Sequence, residues 1–333
     1  MQRRIRVGGA GLSLMALGLI AVVLAAVVPV MATGRGSTAA GAAGVGPFAG
    51  DFTDIRAVAA TAEPAPGPGA STGTVTESCG RDEEGHRNSD NLVVSPGLAH
   101  GAHHTHDYVG NLSTNAFSTD ASLAAAATTC TDGDRSTYYW PVLRRQDRPG
   151  TDSHAPGGGE HGNLGQILRP ASVTVEFRGN PASAVVAMPR FLRMMTGDPV
   201  AGTQGLSDAR AQWGCAGFPG RHTMLYPRCT DGSRITRTLD FPGCWNGLDT
   251  DSENHHSHVR FATADGLCPP GTFPVPQLRL VVAYDVPEGV PIALDAFPEQ
   301  LHSPVTDHAG FVDVMTDRQM AAVVRCLNDG RHC

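Results

Sequence analysis

Two short stretches hold most of the side chains whose types and spacing could do chemistry. The first is "VVSPGLAHGAHHTHDYVGN", Val93 to Asn111. Its His104 and His106 are two apart, so on an extended strand both imidazoles point the same way. Such a pair can ligate a metal or flank a substrate, and Tyr108 is a candidate proton donor beside it. The second is "FPGCWNGLDTDSENHHSHV", Phe241 to Val259, where Asp249, Asp251 and Glu253 precede His255, His256 and His258. If this block is extended, His256 and His258 share a face; if it is helical, Asp251, His255 and His258 do. Its Gly, Asn, Asp and Ser content favours an irregular loop instead. Imidazoles with a carboxylate suit zinc or another first-row ion, and carboxylates alone suit calcium. A carboxylate and an imidazole could equally form a general acid/base pair, with Asp251 fixing the tautomer of a histidine. The plain alternative for both blocks is polar loop, the second one pinned by Cys244.

Other candidates carry less. The stretch "HAPGGGEH" offers His154, Glu160 and His161 on a glycine-rich loop. Tyr138, Tyr139, Trp140 and Trp245 could stack on sugar rings or sit in a core. Arg190 and Arg193 could bind a carboxylate of a ligand or one of the chain's own. The sequence contains no P-loop and no HExxH helix, and these absences remove a common nucleotide signature and the zincin signature.

The elements that must hold these residues are short. "SVTVEF" (172–177), "SAVVAM" (183–188) and "QLRLVVAYDV" (277–286) read as strands separated by Gly/Pro/Asp loops. Together they predict a mainly β chain, an antiparallel jelly-roll-like sandwich with long loops, over alternating β-α units. Near the end, "VMTDRQMAAVVRCLNDG" has Thr316 and Gln319 at capping-box spacing and Met315 and Met320 as a staple. Met320, Val323, Val324 and Leu327 fall on one face, which predicts an amphipathic helix over about 316–329.

The chain has 333 residues, 40 of them glycine and 24 proline, which fits many turns. All 25 basic residues are arginine. Three of them precede an apolar run, Leu12 to Val30, that is long for a signal peptide and close to the length that spans a bilayer. Residues 1–32 therefore read as a signal peptide or a membrane anchor, and in either case the body is exported. Beyond Arg6 the chain has 22 basic against 32 acidic residues, a formal charge of −10, which argues against nucleic acid as a partner. Residues 33–78, rich in Ala, Gly and Pro, read as a disordered tether, and 79–333 as the extracellular domain. Eight cysteines in an exported chain imply disulfides. Cys215/Cys229, Cys244/Cys268 and Cys326/Cys333 are near-neighbour candidates.

In order, the motifs "VVSPG…HTHDYVGN", "YYWPVL", "MPRFLRMMTGDP", the Phe241–Val259 block and "CPPGTFPVPQLRLVVAYDV" resemble the family called domain of unknown function 1996, over roughly 91–297. That family occurs in secreted proteins of fungi and actinobacteria. Its motif falls here on Ser95, Pro96, Gly97, His104, His106, Gly110, Asn111, Cys244, Trp245, Gly247, Asp251, Ser252, His255, Ser257 and His258. The chain departs from it at Asn246, Asp249 and His256, so roles there are in doubt. The resemblance implies export and a link to cell walls or extracellular glycans; it supplies no reaction.

From this follows a specific expectation. His104, His106, Asp251, His255 and His258 converge in one cleft of a glycan-cleaving hydrolase or lyase. Tyr108 is a proton donor there and Arg193 a partner for an acidic sugar. His104, His106, Asp251 and His258 are the candidate ligands for a divalent metal, zinc or calcium. The competing expectation is a non-catalytic wall- or glycan-binding module on a tether, with Trp140, Trp245 and Tyr139 exposed as platforms.

Overall fold

The structure, a computed structural model, describes residues 46–333. The apolar segment at 1–32 and the start of the proposed tether lie outside the described residues. Ten strands make two five-stranded antiparallel sheets: β1 (Thr74–Glu77), β2 (Arg87–Asn88), β3 (His106–Gly110), β4 (Thr137–Pro141), β5 (Ser172–Arg178), β6 (Arg193–Gly197), β7 (Trp213–Cys215), β8 (Ile235–Asp240), β9 (Gln277–Tyr284) and β10 (His308–Val312). One sheet runs β7-β8-β9-β5-β1 and the other β2-β3-β4-β10-β6. The chain is thus mainly β and antiparallel, as its turn-rich, short-stranded sequence predicts.

Alternation explains how the second sheet is used. Val109, Tyr138, Trp140, Met194, Ala309 and Phe311 point to one side and join Val175, Phe177, Leu239, Leu280 and Val282 of the first sheet in one buried cluster. On the opposite side lie His106, Tyr108, Tyr139, His308, Met195 and Val312, and a smaller cluster with Leu92, Val93 and Val314 covers part of that face. Gly310 faces Tyr139 across the β4–β10 pair. A Cβ at Gly310 would stand about 2 Å from the tyrosine ring tip, so only glycine lets that ring lie flat over β10.

The C-terminal helix spans Asp317–Asn328, with both capping-box bonds present between Thr316 and Gln319. Its Met320, Val323 and Leu327 are buried in the main core. Four disulfides join Cys79–Cys130, Cys215–Cys229, Cys244–Cys268 and Cys326–Cys333, which suggests an extracellular environment. Among the described residues no helix is long and apolar enough to cross a membrane.

Two expectations need correction here. Residues 46–78 do not form a loose tether. Phe52–Asp54 pairs with Tyr226–Arg228, Phe52 packs on the Tyr226 ring at 5.1 Å, and Ile55 is fully buried. Thr74–Glu77 is an edge strand whose Thr76 N–H donates to the Cys333 carbonyl. A few apolar anchors and backbone bonds to the body suffice to order a segment whose composition alone could not fold. The second correction is "SAVVAM", which forms no strand. Its Val185 N–H donates to Asn328 Oδ1 of the C-terminal helix and its Val186 N–H to the carbonyl of Pro274, in the two-residue strand Phe273–Pro274, so isolated bonds replace a ladder.

Candidate metal centre and the second histidine block

Strand β3 begins at His106, and its hydrogen-bonding partner β4 and neighbour β10 bring His308 alongside. His104 Nε2 lies 3.1 Å from His106 Nε2 and 3.1 Å from His308 Nε2, and the last two are 3.4 Å apart. All three residues are at most 1 % exposed. Nitrogens bound at 2.0–2.1 Å in a tetrahedral shell would stand roughly 3.3–3.4 Å from one another. The three imidazoles therefore already have ligand spacing.

Tautomers strengthen that assignment. His106 Nδ1 is 2.9 Å from the Asp90 carbonyl, and His308 Nδ1 is 2.8 Å from the Thr306 carbonyl. A carbonyl only accepts, so both Nδ1 atoms carry the proton and both neutral rings present a bare Nε2 lone pair. His104 can donate one proton to one of them and leaves the other unsatisfied. Protonating a ring is opposed by burial, which pushes His104 and His106 well below the usual histidine range and lowers His308 as well. A bound cation satisfies all three lone pairs at once. The all-nitrogen donor set suits zinc or copper and excludes the oxygen-seeking calcium of the earlier expectation.

Buried ion pairs hold this site from two sides. Thr105, between the first two histidines, donates its N–H to Asp295 Oδ2 at 3.2 Å, and Asp295 is gripped by Arg144, which also binds Asp152. Asp307, next to His308, is paired with Arg237, and both are fully buried. Arg237 Nη1 also donates to the Pro141 carbonyl at 2.7 Å. Each histidine-bearing segment is thus clamped by an arginine on another strand.

The Phe241–Val259 block goes elsewhere. Cys244–Cys268 pins it, and Arg193 N–H donates to the Thr250 carbonyl at 2.8 Å, docking it on the edge strand β6. His258 Nε2 is 2.7 Å from the Arg193 carbonyl and its Nδ1 is 2.8 Å from Ser252 Oγ, so neither ring nitrogen is free. Arg193 pairs with Val312 and Gly197 with His308. The two ends of β6 are four residues apart, roughly 13 Å along the strand. His258 and Asp251 therefore do not complete the His104/His106 shell; among the described residues the third histidine of that group is His308. Asp251 and His255 do pair, at 2.9 Å between Oδ1 and Nδ1, in a separate, partly exposed place.

Two further assignments change. Tyr108 is buried, its hydroxyl facing Asn88 Oδ1 at 2.7 Å and the Asp90 carbonyl at 3.0 Å, and burial raises its pKa well above 10. Its role is to brace the Asp90 segment that orients His106, and it is not placed as a proton donor. Arg193 binds Asp120 at 2.6 Å, so its guanidinium is paired within the chain. His308 was invisible to sequence reasoning. It stands alone in "TDHAGFV", 202 residues beyond His106, and only the β4–β10 pairing makes it a neighbour.

A family model described as domain of unknown function (DUF1996) matches residues 91–308, a span that takes in all three clustered histidines. No curated protein and no solved structure matches the chain. With about two thirds of its length matched, the chain belongs to the family of domain of unknown function 1996.

Proposed function

We propose that this is an exported, metal-dependent enzyme that cleaves extracellular or cell-wall polysaccharide, a hydrolase or lyase carried on a jelly-roll-like sandwich. The observation that carries the reading is the convergence of the Nε2 atoms of His104, His106 and His308 at 3.1–3.4 Å, two of them bare. His104, His106 and His308 would hold a divalent ion as three imidazole ligands, and such an ion would supply a Lewis acid and an acidified water. The chain's own residues orient the ligands: the Asp90 and Thr306 carbonyls fix two tautomers, and Asp295 and Asp307 hold the flanking backbone. The disulfides and the charged-then-apolar N-terminus support export. The polysaccharide class rests on family resemblance.

The binding-module reading is weaker, because two of its three platforms, Trp140 and Tyr139, are fully buried and only Trp245 keeps partial exposure. A purely structural ion is the reading that the burial of all three ligands favours. One experiment separates these. The exported chain, purified without a histidine tag, is assayed for metal content and for release of reducing or unsaturated ends from wall polysaccharides. About one equivalent of zinc or copper, lost in His308→Ala together with polysaccharide cleavage, is the expected result. Stoichiometric metal with no cleavage of any polysaccharide leaves the structural ion; a folded, metal-free protein overturns the metal centre itself.

A further inference from the structure

A cleft of about 400 Å³ opens between the edge strand β6 and the loop that follows the second histidine block, a size in the range of small-ligand sites. Met195 and Gly197 line it, and alternation puts both on the face of the sheet that also carries His308. Gly197 is the direct partner of His308, and a Cβ on it would stand 2.8 Å from the His308 Cα and 3.0 Å from its Cβ. The cleft thus ends one strand away from the histidine cluster.

Its lining is mixed in a particular way. Phe261 supplies an aromatic face, with the Arg210 guanidinium 5.1 Å from its ring centre. Asn254, Ser257 and His256 offer donors and acceptors for hydroxyls. Arg210 donates only to the Ser207 and Ala209 carbonyls, and among the described residues neither Arg210 nor Arg260 is paired with a carboxylate. The cleft's single carboxylate is Asp208, which meets only Ser207 Oγ at 3.4 Å. The lining itself carries two guanidinium groups against one carboxylate, and Asp198 also stands close enough to act on His256.

The geometry points to this cleft as the binding site for a carboxylated sugar, a uronic-acid unit of an extracellular polysaccharide, with Arg210 and Arg260 as the residues that select its carboxylate. A planar guanidinium matches a carboxylate in a two-point fashion that a neutral sugar cannot exploit. The aromatic face and the amide, hydroxyl and imidazole groups suit a pyranose ring with its hydroxyls. This deepens the polysaccharide reading above and rests on it for the reaction, but the binding itself needs no metal.

The test is equilibrium binding of a short oligogalacturonate to the exported chain, by calorimetry, beside a neutral cello-oligosaccharide of equal length and a poly(glycerol phosphate). The expected result is preference for the uronate, with Arg210→Gln and Arg260→Gln each weakening it by about 10-fold or more, as loss of a hydrogen bond to a charged group does. Unchanged melting temperatures would show that both variants fold. Arg260→Lys should recover only part of the affinity. Equal binding of the neutral sugar, tighter binding of the phosphate polymer, or indifference to both substitutions overturns the proposal. Two results separate it from the enzyme reading: His308→Ala should keep uronate binding, since His308 does not line the cleft, and a wild-type chain that binds uronate without cleaving polysaccharide leaves the cleft standing and removes the reaction.

Discussion

His104, His106 and His308 lie in the interior on one face of a five-stranded sheet, whereas His255, His256 and His258 ride on a disulfide-pinned loop at that sheet's edge. Both groups contain three imidazoles, and in each group backbone carbonyls take ring nitrogens. What separates them is which ring nitrogen each carbonyl takes. In the first group carbonyls hold Nδ1 of His106 and His308, and every Nε2 is turned inward. In the second, the Arg193 carbonyl takes Nε2 of His258 and Ser252 takes Nδ1, so that the ring is spent on docking the loop. A histidine becomes a ligand or a fastener according to that one hydrogen bond, and the residue type alone does not decide it.

The largest effect that can break this contrast is in the supports. Asp307→Ala leaves the fully buried Arg237 without its partner, and breaking a buried pair from one side costs about 3–5 kcal/mol. His258→Ala removes bonds to one carbonyl and one hydroxyl, and about 1–3 kcal/mol is expected. Urea unfolding of the two variants gives the order directly. An Asp307→Ala cost no greater than that of His258→Ala would mean that the interior block is held by packing and not by its ion pairs.

Buried carboxylates show a parallel division, and it yields a pH dependence. Asp307 faces an arginine, but Glu77 faces Asp132. Burial first, then the proton shared with Asp132, pushes the Glu77 pKa up to about 8. A raised pKa means that the group's stabilisation is complete below its ordinary 4.5 and is lost as pH rises through about 8. Glu77→Gln should therefore gain on wild type between pH 5 and pH 8, by at most about 1.4 kcal/mol per pH unit. The difference between the two proteins is the readout, because the buried histidines, with lowered pKa values, tilt the wild-type curve the other way below pH 6.5. A difference that stays flat across that range would place the Glu77 carboxyl in water.

The parts that could be read from the chain are those in which neighbours in sequence remain neighbours in space. The C-terminal helix announced itself through Thr316, Gln319 and the Met320/Val323/Leu327 face. The strands at Ser172–Arg178 and Gln277–Tyr284 followed from β-branched and alternating residues, and three disulfides joined near neighbours. His104 and His106 were marked as a pair by a spacing of two. His308 was not, since it depends on strand order across about 200 residues, and no local pattern encodes that order. The misreading of His258 has a related cause. A block of histidines and carboxylates looks the same whether its rings point to a cleft or are bonded to the next strand's backbone. Thr74–Glu77 was lost in an Ala/Gly/Pro composition, because an edge strand ordered by the far C-terminus needs little side-chain signal of its own.

The smallest expected effect tests the remaining pair of the second block. Asp251 Oδ1 holds His255 Nδ1 at 2.9 Å, with side chains 30 % and 20 % exposed. An exposed pair of this kind contributes about 0–1 kcal/mol, so Asp251→Asn should move the unfolding midpoint little. It should also leave metal content unchanged, since neither residue belongs to the interior shell. If instead Asp251→Asn removes polysaccharide cleavage while the metal stays bound, the edge loop carries an acid/base pair, with Asp251 holding the proton on Nδ1 and the His255 Nε2 free to work. The two histidine blocks would then divide the reaction between them, one holding an ion and the other moving a proton. Unaltered cleavage would leave the second block as a fastener docked on β6.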